Sequence, residues 1–319
     1  MQAEATDDIF VPELALTECA TFFPLGSAVE LASNSTAVMA AAQESWGSFP
    51  PAFRNTRISF ALTVTDSEDA GMPPAPIFRT HRHLMSIVGD ARNQVVCDFR
   101  RQCAFGWVTR RVAEQTDFLR FHFLDGPAMT MLVAAHFAPV HGGLVARNGS
   151  GLVLCGDSLA GKSTLTYACA RSGWTFISDD GTFLLRNRPD LYAVGNPHHA
   201  RFRKQAVSFF PELAGCPSRP KLNGAPGMEV PTAKLPIATA GGCSVQHLVF
   251  LRRSNRGAAR LEPFCAEQAY EWLEKQILYG PGDVQASLRD TYRRLLGAGV
   301  WELHYSDLSD AVKVLEQLC

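Results

Sequence analysis

Residues 156–163 read Gly-Asp-Ser-Leu-Ala-Gly-Lys-Ser and fit the spacing G-x-x-x-x-G-K-[ST] at every fixed position. Gly156 and Gly161 let the backbone curl, so that its N–H groups face phosphate oxygens at the positive end of the following helix. Lys162 would reach the outer phosphates, and the Ser163 hydroxyl would bind magnesium. The sequence therefore predicts a loop that binds ATP and Mg²⁺ rather than a glycine-rich turn with a chance lysine. Its residues are Gly156, Asp157, Ser158, Leu159, Ala160, Gly161, Lys162, Ser163 and Thr164.

Two adjacent aspartates, Asp179 and Asp180, follow this loop closely. Neighbouring side chains of a strand point to opposite faces, so both acids reach one site only if the chain turns, which Gly181 permits. One carboxylate of the pair would help to hold magnesium, and the other would accept the proton of an attacking hydroxyl. We assign the metal contacts to Ser163 and Asp180. A solvated Asp-Asp-Gly turn explains the same residues equally well.

The elements around these residues support the loop. The Asn148-Gly149 turn joins two strands into a hairpin, because Asn-Gly suits the left-handed turn that matches strand twist. The second strand, 151–155, runs into Gly156. A helix is predicted over 163–173 and ends at Gly173, and the strand that follows, 174–178, carries the two aspartates at its tip.

The chain is predicted to have two parts, a mostly β region over 1–135 and a catalytic region over 136–319. In the first part, helix 35–46 is capped by Asn34 or Ser35 and ends at Gly47. Another helix is predicted over 127–137, and strands over 57–65, 83–88, 94–99, 103–110 and 118–124. In the second part, beyond the aspartates, we predict a hairpin over 182–194, a Pro/Gly-rich connection or flap over 211–236, strands over 247–251 and 300–306, and helices over 266–278, 283–296 and 307–319.

Composition narrows the class of protein. The chain has 319 residues, a formal net charge of -1, 46% hydrophobic residues and 19% charged residues. This balance predicts a soluble globular protein without a field that would gather nucleic acid or a membrane surface. The acidic N-terminus lacks the order of a signal peptide, so we expect a cytoplasmic protein. Nine cysteines without a C-x-x-C pair predict buried thiols.

Three motifs in register resemble the HPr kinase/phosphorylase family, whose core is related to that of phosphoenolpyruvate carboxykinase. They are His141-Gly142, the loop from Gly156 to Ser163, and Asp179-Asp180. The similarity is strong over 140–185 and weak towards the C-terminus. It implies an α/β (α+β) kinase core of mixed sheet with helices, with His141 beside the transferred phosphoryl group. It also implies that Lys162 and Ser163 bind nucleotide phosphate and magnesium, and that the aspartate pair supplies the base and a metal contact.

This sequence departs from the family pattern at several places. Leu159 replaces the inner glycine of the loop, and Thr164 replaces the usual glutamate. The family's later glutamate and its Arg-Gly-x-Gly signature are absent, and residues 194–205 read VGNPHHARFRKQ. There, Arg201, Arg203 and Lys204 form either a basic edge that contacts phosphate or an acidic substrate, or a solvated strand face. His81, His83, His198 and His199 lack the nearby carboxylates or thiols of a zinc site.

Together these features predict an HPr-kinase-like phosphotransferase that modifies a hydroxyl, with serine of a protein or peptide as acceptor. Two alternatives remain open: a nucleotide-binding regulatory protein without transfer activity, and a small-molecule kinase. The donor could equally be another triphosphate or pyrophosphate. We expect the first part to select the substrate, and the resemblance allows a homo-oligomer.

Overall fold

The computed structural model describes residues 15–66, 71–217, 227–277 and 279–319. The N-terminal segment that carries the localisation prediction, 1–14, lies outside the described residues, as does part of the Pro/Gly-rich stretch. The chain divides into two compact units, Met1–Met131 and Leu132–Cys319. Both contain strands and helices, so the protein has a mixed α/β fold.

The first unit is built on a mixed seven-stranded sheet with the order β1-β2-β3-β7-β6-β5-β4. Strands β2, β3 and β7 run parallel and the remaining neighbours are antiparallel. The strand predicted over 57–65 is present as β3, and its alternate residues Ile58, Phe60 and Leu62 are buried, whereas Val64 is only partly buried. The strands are β1 (Glu18–Phe22), β2 (Val29–Ser33), β3 (Ile58–Thr65), β4 (Ile77–His81), β5 (Leu84–Asp90), β6 (Asn93–Asp98) and β7 (Cys103–Thr109).

The helices of this region are α1 (Thr36–Trp46), α2 (Arg110–Glu114), the single turn α3 (Thr116–Phe118) and α4 (Gly126–Ala135), which spans the boundary between the units. Ser35 occupies the N-cap position of α1 without a side-chain hydrogen bond to the helix. Asn34 instead ties its amide to the backbone of Val64 in β3. Helix α1 therefore begins where the sequence places it, although the predicted side-chain cap is not made.

The predicted strand over 118–124 is wrong, because Leu119–Asp125 forms a π-helical segment. Leu119, Arg120, Phe123 and Leu124 are buried, a spacing that places them on one helical face. The guanidinium of Arg120 also donates to Glu44 at 2.6 Å and to Ser45 at 2.9 Å on α1. The apolar run over 118–124 looked like a strand in the sequence, but tertiary packing sets its conformation.

The second unit contains a ten-stranded mixed sheet with the main order β16-β11-β9-β10-β17-β13-β12-β8, extended by β19 and β18 from β17. Its strands are β8 (Phe137–His141), β9 (Gly143–Arg147), β10 (Ser150–Cys155), β11 (Thr175–Ser178), β12 (Gly181–Leu185), β13 (Tyr192–Val194), β16 (Ala238–Thr239), β17 (Gly242–Arg253), β18 (Arg260–Pro263) and β19 (Gly299–Tyr305). A separate pair comprises β14 (His199–Phe202) and β15 (Met228–Pro231). The Pro/Gly-rich stretch thus contains a strand, β15.

Four helices complete the second unit: α5 (Lys162–Arg171), α6 (Ala266–Glu274), α7 (Gly282–Leu295) and α8 (Leu308–Leu315). The predicted hairpin of β9 and β10 is confirmed, with Asn148 and Gly149 at φ values of 51° and 84°. Gly173 ends the helical region at φ 88°, also as predicted. These local signals fix the elements on both sides of the loop.

Both faces of the central sheet are buried. Leu152 and Leu154 of β10 face one apolar cluster, whereas Val153 and Cys155 face the other. Such a strand reads as a continuous apolar run, which is how 151–155 appears in the sequence. The end of β10, and with it the start of the loop, is therefore held rigidly from both sides.

All nine cysteines are free thiols. Cys97, Cys155 and Cys169 are buried as predicted, but three others, Cys19, Cys265 and Cys319, are exposed. Burial raises the pKa of Cys155 to about 12, so its thiol stays protonated beside the loop. In the described part of the chain, no helix combines the length and the apolar character needed to cross a membrane.

Candidate functional site

The glycine-rich loop connects the end of β10 at Cys155 to the start of α5 at Lys162. Gly156 and Gly161 have φ values of 143° and 99°, in the region that favours glycine. A Cβ at Gly161 would lie 2.4 Å from the hydroxyl of Tyr305. That hydroxyl donates to the carbonyl of Ala160 at 3.1 Å, so the last residue of β19 holds the loop in place.

Lys162 is 7% exposed and folds back over the loop. Its Nζ donates to the carbonyl oxygens of Gly156 at 2.7 Å and Asp157 at 3.2 Å. The ammonium is therefore positioned at the loop, where anionic oxygens could replace carbonyl oxygens as partners. That Lys162 reaches the outer phosphates of a nucleotide stays a prediction.

Leu159 adopts φ 76° and its side chain is 72% exposed. A left-handed conformation costs a non-glycine residue about 1 kcal/mol. The loop thus holds an exposed apolar side chain in a backbone conformation that glycine adopts more readily, at a modest cost in strain.

The two aspartates form the connection between β11 and β12 and lie in different environments. Asp179 is 6% exposed, whereas the side chain of Asp180 is 53% exposed. Asp179 accepts a hydrogen bond from the backbone N–H of Arg201 at 3.1 Å, and the Ser163 hydroxyl also donates to it. The chain turns before Gly181, as expected. The two acids nevertheless do not share one position, because Asp180 lines the cleft described below and Asp179 is buried.

Burial raises the pKa of Asp179 to about 7, and the neighbouring charge of Asp180 acts in the same direction. The charge of Arg201, its backbone N–H and the Ser163 hydroxyl oppose the rise. Removal of a carboxylate from water disfavours its ionised form, so above neutral pH the negative charge of Asp179 is poorly stabilised by its surroundings. A cation near Asp179 would stabilise the ionised carboxylate.

His141 is the last residue of β8, which pairs with β12 in a register that sets His141 opposite Gly181. Its Nδ1 lies 3.3 Å from Oδ1 of Asp180. The backbone N–H of His141 donates to Oε1 of Gln276 at 2.7 Å, so the region after α6 also holds the strand end. Strand register thus brings together two residues that are 39 positions apart in the sequence.

The loop, Asp180 and His141 line one cleft of about 410 Å³. The predicted residues along it are His141, Ser158, Leu159, Gly161, Lys162, Ser163, Thr164, Asp180, Arg201 and Arg203. Gly156, Asp157, Ala160 and Asp179 do not line it, although Asp179 contacts Ser163 from beneath. We call this cleft the loop cleft. Its lining combines the basic side chains of Lys162, Arg201 and Arg203 with the acid–imidazole pair of Asp180 and His141.

The basic edge is arranged by β14 and the segment after it. Arg203 donates from Nη2 to Oγ of Ser158 at 3.3 Å, which places a guanidinium directly on the loop. Nε of Arg201 lies 3.6 Å from Oε2 of Glu229 on β15, whose side chain is 6% exposed. Lys204, the third member of the predicted edge, is exposed and does not line the cleft.

Sequence reasoning missed five residues that line the loop cleft, namely Phe202, Gln205, Ala206, Phe209 and Arg253, and it also missed Glu229, which pairs with Arg201. Phe209 and Arg253 line the loop cleft, and Cζ of Arg253 lies 5.3 Å from the centroid of the Phe209 ring. Arg253 ends β17, so two arginines at the carboxyl end of an apolar strand were the signal available for it. No local pattern indicated Phe209 or Glu229.

No group of three or more His, Cys, Asp or Glu side chains suitable for a metal ion occurs among the described residues. The available donor set consists of Ser163 and the aspartate pair. Magnesium usually binds proteins through one or two oxygen ligands and completes its shell with phosphates and water. A hydroxyl and a buried carboxylate in contact fit that requirement.

No protein-family model matches this chain, and no curated protein sequence matches it. Among solved structures, the chain is similar to the Hpr(Ser) kinase/phosphatase from Coxiella burnetii, with 12% sequence identity and a TM-score of 0.32. The similarity covers 56% of this chain and 95% of that chain. An identity and a TM-score this low do not support a functional assignment, which therefore depends on the geometry of the site.

Proposed function

We propose that this protein is an ATP- and magnesium-dependent, HPr-kinase-like phosphotransferase that phosphorylates a hydroxyl, with serine of a protein or peptide as acceptor. One observation carries the proposal: the loop with Lys162, the Asp180 carboxylate and the His141 imidazole line one cleft. A phosphate-binding loop alone would suit any nucleotide-binding protein. An acid–imidazole pair beside it adds groups that can handle the proton of an acceptor.

The loop cleft would bind the nucleotide tail. Backbone N–H groups at the start of α5 face the phosphates, and Lys162 exchanges its carbonyl partners for phosphate oxygens. Arg203 and Arg253 line the same cleft and add charge-assisted hydrogen bonds. Comparison of ATP, GTP and pyrophosphate as ligands identifies the donor, since ATP and GTP differ only in the base and pyrophosphate lacks the nucleoside.

Ser163 and Asp179 would hold magnesium together with phosphate oxygens and water. When bound, the ion offsets the negative charge of the phosphates and of the two acids. The sequence-based assignment gave the metal to Ser163 and Asp180. The contact between Ser163 and Asp179 favours Asp179 for that role and leaves the exposed carboxylate of Asp180 for the acceptor.

In the transfer step, the acceptor oxygen forms a bond to the γ-phosphorus while the bond from that phosphorus to the β–γ bridging oxygen breaks. The nucleoside diphosphate leaves, and the acceptor proton passes to the Asp180 carboxylate. A serine hydroxyl is a weak acid, so its proton moves late. His141, 3.3 Å from Asp180, orients the carboxylate and lies beside the transferred group. Most of the rate enhancement comes from positioning and charge.

The direct test is incubation of the full chain with γ-labelled ATP, Mg²⁺ and serine-containing peptides. We expect Asp180→Asn to lower transfer by roughly 100-fold or more, with unchanged nucleotide affinity, because it removes a general base. Asp310→Asn is the matched control, since Asp310 lies on α8 with a side chain that is 54% exposed. Equal activity of the two variants would contradict the assignment of Asp180.

The second candidate function is nucleotide binding without transfer, as in a regulatory protein. It is favoured by the region after β13, where the family's glutamate is replaced by a basic segment. The described glutamate beside that segment, Glu229, is paired with Arg201. Absence of transfer to every acceptor, with nucleotide affinity unchanged in Asp179→Asn and Asp180→Asn, would favour this candidate.

The division of labour between the two parts stays a prediction. We assign phosphoryl transfer to 136–319 and acceptor selection to 1–135, because the candidate site residues all belong to the second part. Cytoplasmic location and assembly into a homo-oligomer also stay predictions.

A further inference from the structure

A second recess lies against the edge strand β8 and is about 460 Å³ in volume. We call it the edge pocket. Its walls come from β8 and β12 on one side and from the region between α6 and α7 on the other. The hydroxyl of Tyr292 on α7 donates to the carbonyl of Pro139 at 2.5 Å, which fixes the helix against β8. Recesses of this volume are typical of sites for small ligands or short segments.

His141 and Asp180 line both the edge pocket and the loop cleft. The two recesses therefore meet at the acid–imidazole pair. The edge pocket shares Asp180 with the loop cleft but is lined by none of the loop residues 156–164. If the loop cleft holds the phosphoryl donor, the edge pocket is the place from which a hydroxyl can reach the same carboxylate.

Most of the lining of the edge pocket is apolar. The side chains are Val133, Pro139, Val140, Phe183, Tyr279 and Leu288. Val133, Val140 and Leu288 are almost fully buried, so they form a preformed floor rather than a mobile surface. A sugar or another ligand rich in hydroxyl groups would leave its polar groups unpaired against such a wall. An acceptor with an apolar group next to its hydroxyl fits the pocket.

Lys275 supplies a positive charge at the pocket wall. Its side chain is exposed, and none of the described residues pairs with its ammonium group. Gln276, the next residue, anchors His141 through its Oε1. A carboxylate on the acceptor would therefore find an available cation on the same wall that positions the acid–imidazole pair.

We propose that the edge pocket binds the acceptor, and that the acceptor carries a hydroxyl, an apolar group and a carboxylate that pairs with Lys275. This inference rests on the proposed phosphotransferase function and specifies its substrate class. The same chemistry has two sources: an apolar peptide segment with a carboxylate near its serine, or a free hydroxy acid. The hydroxyl would point to Asp180, and the apolar group would pack on Phe183 and Leu288.

The test measures binding by calorimetry with the full chain and without nucleotide, so that it does not depend on catalysis. The probes are acetyl-Leu-Ser-Leu with a free carboxylate, the same peptide as carboxamide, acetyl-Gly-Ser-Gly with a free carboxylate, and a free medium-chain hydroxy acid. We expect the first probe to bind about 10-fold tighter than the second and third, since each of those lacks one interaction. Tightest binding of the hydroxy acid would support the chemistry and identify a small-molecule source.

Charge reversal then tests the cation. Lys275→Glu should remove the 10-fold preference for carboxylate over carboxamide, whereas Lys234→Glu should leave it unchanged. Lys234 is a suitable control because it is exposed and lines neither recess. As a second variant, Phe183→Ala should weaken the leucine peptide more than the glycine peptide, once a thermal melt has shown that the variant is folded.

The inference is overturned if no probe binds, if carboxylate and carboxamide bind equally, or if Lys275→Glu and Lys234→Glu behave alike. Failure of the proposed function gives a different pattern. In that case the binding preferences and their loss in Lys275→Glu would persist, while no labelled phosphate would appear on any probe.

Discussion

The loop cleft and the edge pocket share two residues but differ in everything else that lines them. The loop cleft presents backbone N–H groups, Lys162 and three arginines, whereas the edge pocket presents apolar side chains and a single lysine. Charged walls suit a polyphosphate, and apolar walls exclude one. In the proposed function, the donor and the acceptor would therefore occupy chemically different recesses and meet only at His141 and Asp180.

The same contrast appears between the two neighbouring aspartates. Asp179 is enclosed between Ser163 and Arg201 on the loop side, and Asp180 stands exposed where the recesses meet. An acid that is buried and held by hydrogen bonds is suited to fixing charge. An exposed acid next to an imidazole is suited to accepting a proton. Two residues of one type thus have different environments and, in our proposal, different roles.

The largest expected effect is the loss of nucleotide affinity in Lys162→Met. This variant tests whether the two recesses bind their ligands independently. Loss of the ammonium should weaken ATP binding by about 10- to 100-fold, because hydrogen bonds to charged groups contribute about 1.5–3 kcal/mol. Binding of the leucine peptide in the edge pocket should not change. Calorimetry with each ligand separately measures both. A parallel loss of peptide binding would show that the two recesses are not independent.

Gly161→Ala tests how far the loop depends on its backbone geometry. We expect a loss of stability of about 2–3 kcal/mol, because alanine at φ 99° is strained and its Cβ would lie 2.4 Å from the Tyr305 hydroxyl. Gly173→Ala is the matched control, since Gly173 has φ 88° with no heavy atom within 4 Å of the added Cβ. It should cost only about 1 kcal/mol. Equal losses in denaturant titrations would exclude the clash.

The pH dependence of stability distinguishes Asp179 from Asp180. The folded-state pKa of Asp179 is raised from 3.8 to about 7, so the folded chain holds a proton that the unfolded chain releases near pH 4. This acid therefore costs stability progressively as the pH rises from about 4 to 7, and the full cost is present above that window. The Asp179→Asn variant cannot ionise at this position. The difference in free energy of unfolding between this variant and wild type should therefore shift by about 2 kcal/mol in favour of the variant from pH 5 to pH 8.5.

The measurement is urea unfolding in chelator at the two pH values, with Asp180→Asn as the matched control. A pH-independent difference between wild type and Asp179→Asn would contradict the burial of that charge. The same gain in both variants would mean that repulsion within the pair, rather than the desolvation of Asp179, sets the cost.

Sequence reasoning was most successful where a signal is local. Glycines, an Asn-Gly turn and an apolar run predicted the hairpin, the loop and α5, because each depends on residues that are close along the chain. The pairing of β14 with β15 was missed, and so was Glu229 with it. Strand β14 precedes the Pro/Gly-rich stretch and β15 lies inside it, and no local pattern encodes such a pairing.

The edge pocket was missed for the same physical reason. Its lining comes from α4, β8, β12, α7 and three residues between α6 and α7, namely Lys275, Gln276 and Tyr279, so only the three-dimensional structure brings these side chains together. The resemblance selected His141 and the aspartate pair, but the contact of His141 with Asp180 became known only from the structure. The different environments of Asp179 and Asp180 were also inaccessible to sequence, since burial is set by packing from distant segments.

The smallest expected effect belongs to Glu229→Gln, which tests whether the loop cleft extends to β15. Glu229 pairs with Arg201, whose backbone N–H, not its guanidinium, makes the 3.1 Å hydrogen bond to Asp179. Loss of the carboxylate charge should therefore leave that bond intact and change stability by about 1 kcal/mol, because glutamine keeps the size and one acceptor oxygen of this buried side chain while the Arg201 side chain, 40% exposed, stays hydrated.

Transfer activity should fall by only a few-fold in Glu229→Gln, compared with Glu262→Gln, which removes one partner of an exposed pair with Arg260. Steady-state kinetics and thermal melts of both variants provide the comparison. A fall of roughly 100-fold in Glu229→Gln at unchanged stability would place a third carboxylate in the reaction, since a general acid or base contributes about that much. Glu229 would then substitute, from a different strand, for the glutamate that the region after β13 lacks.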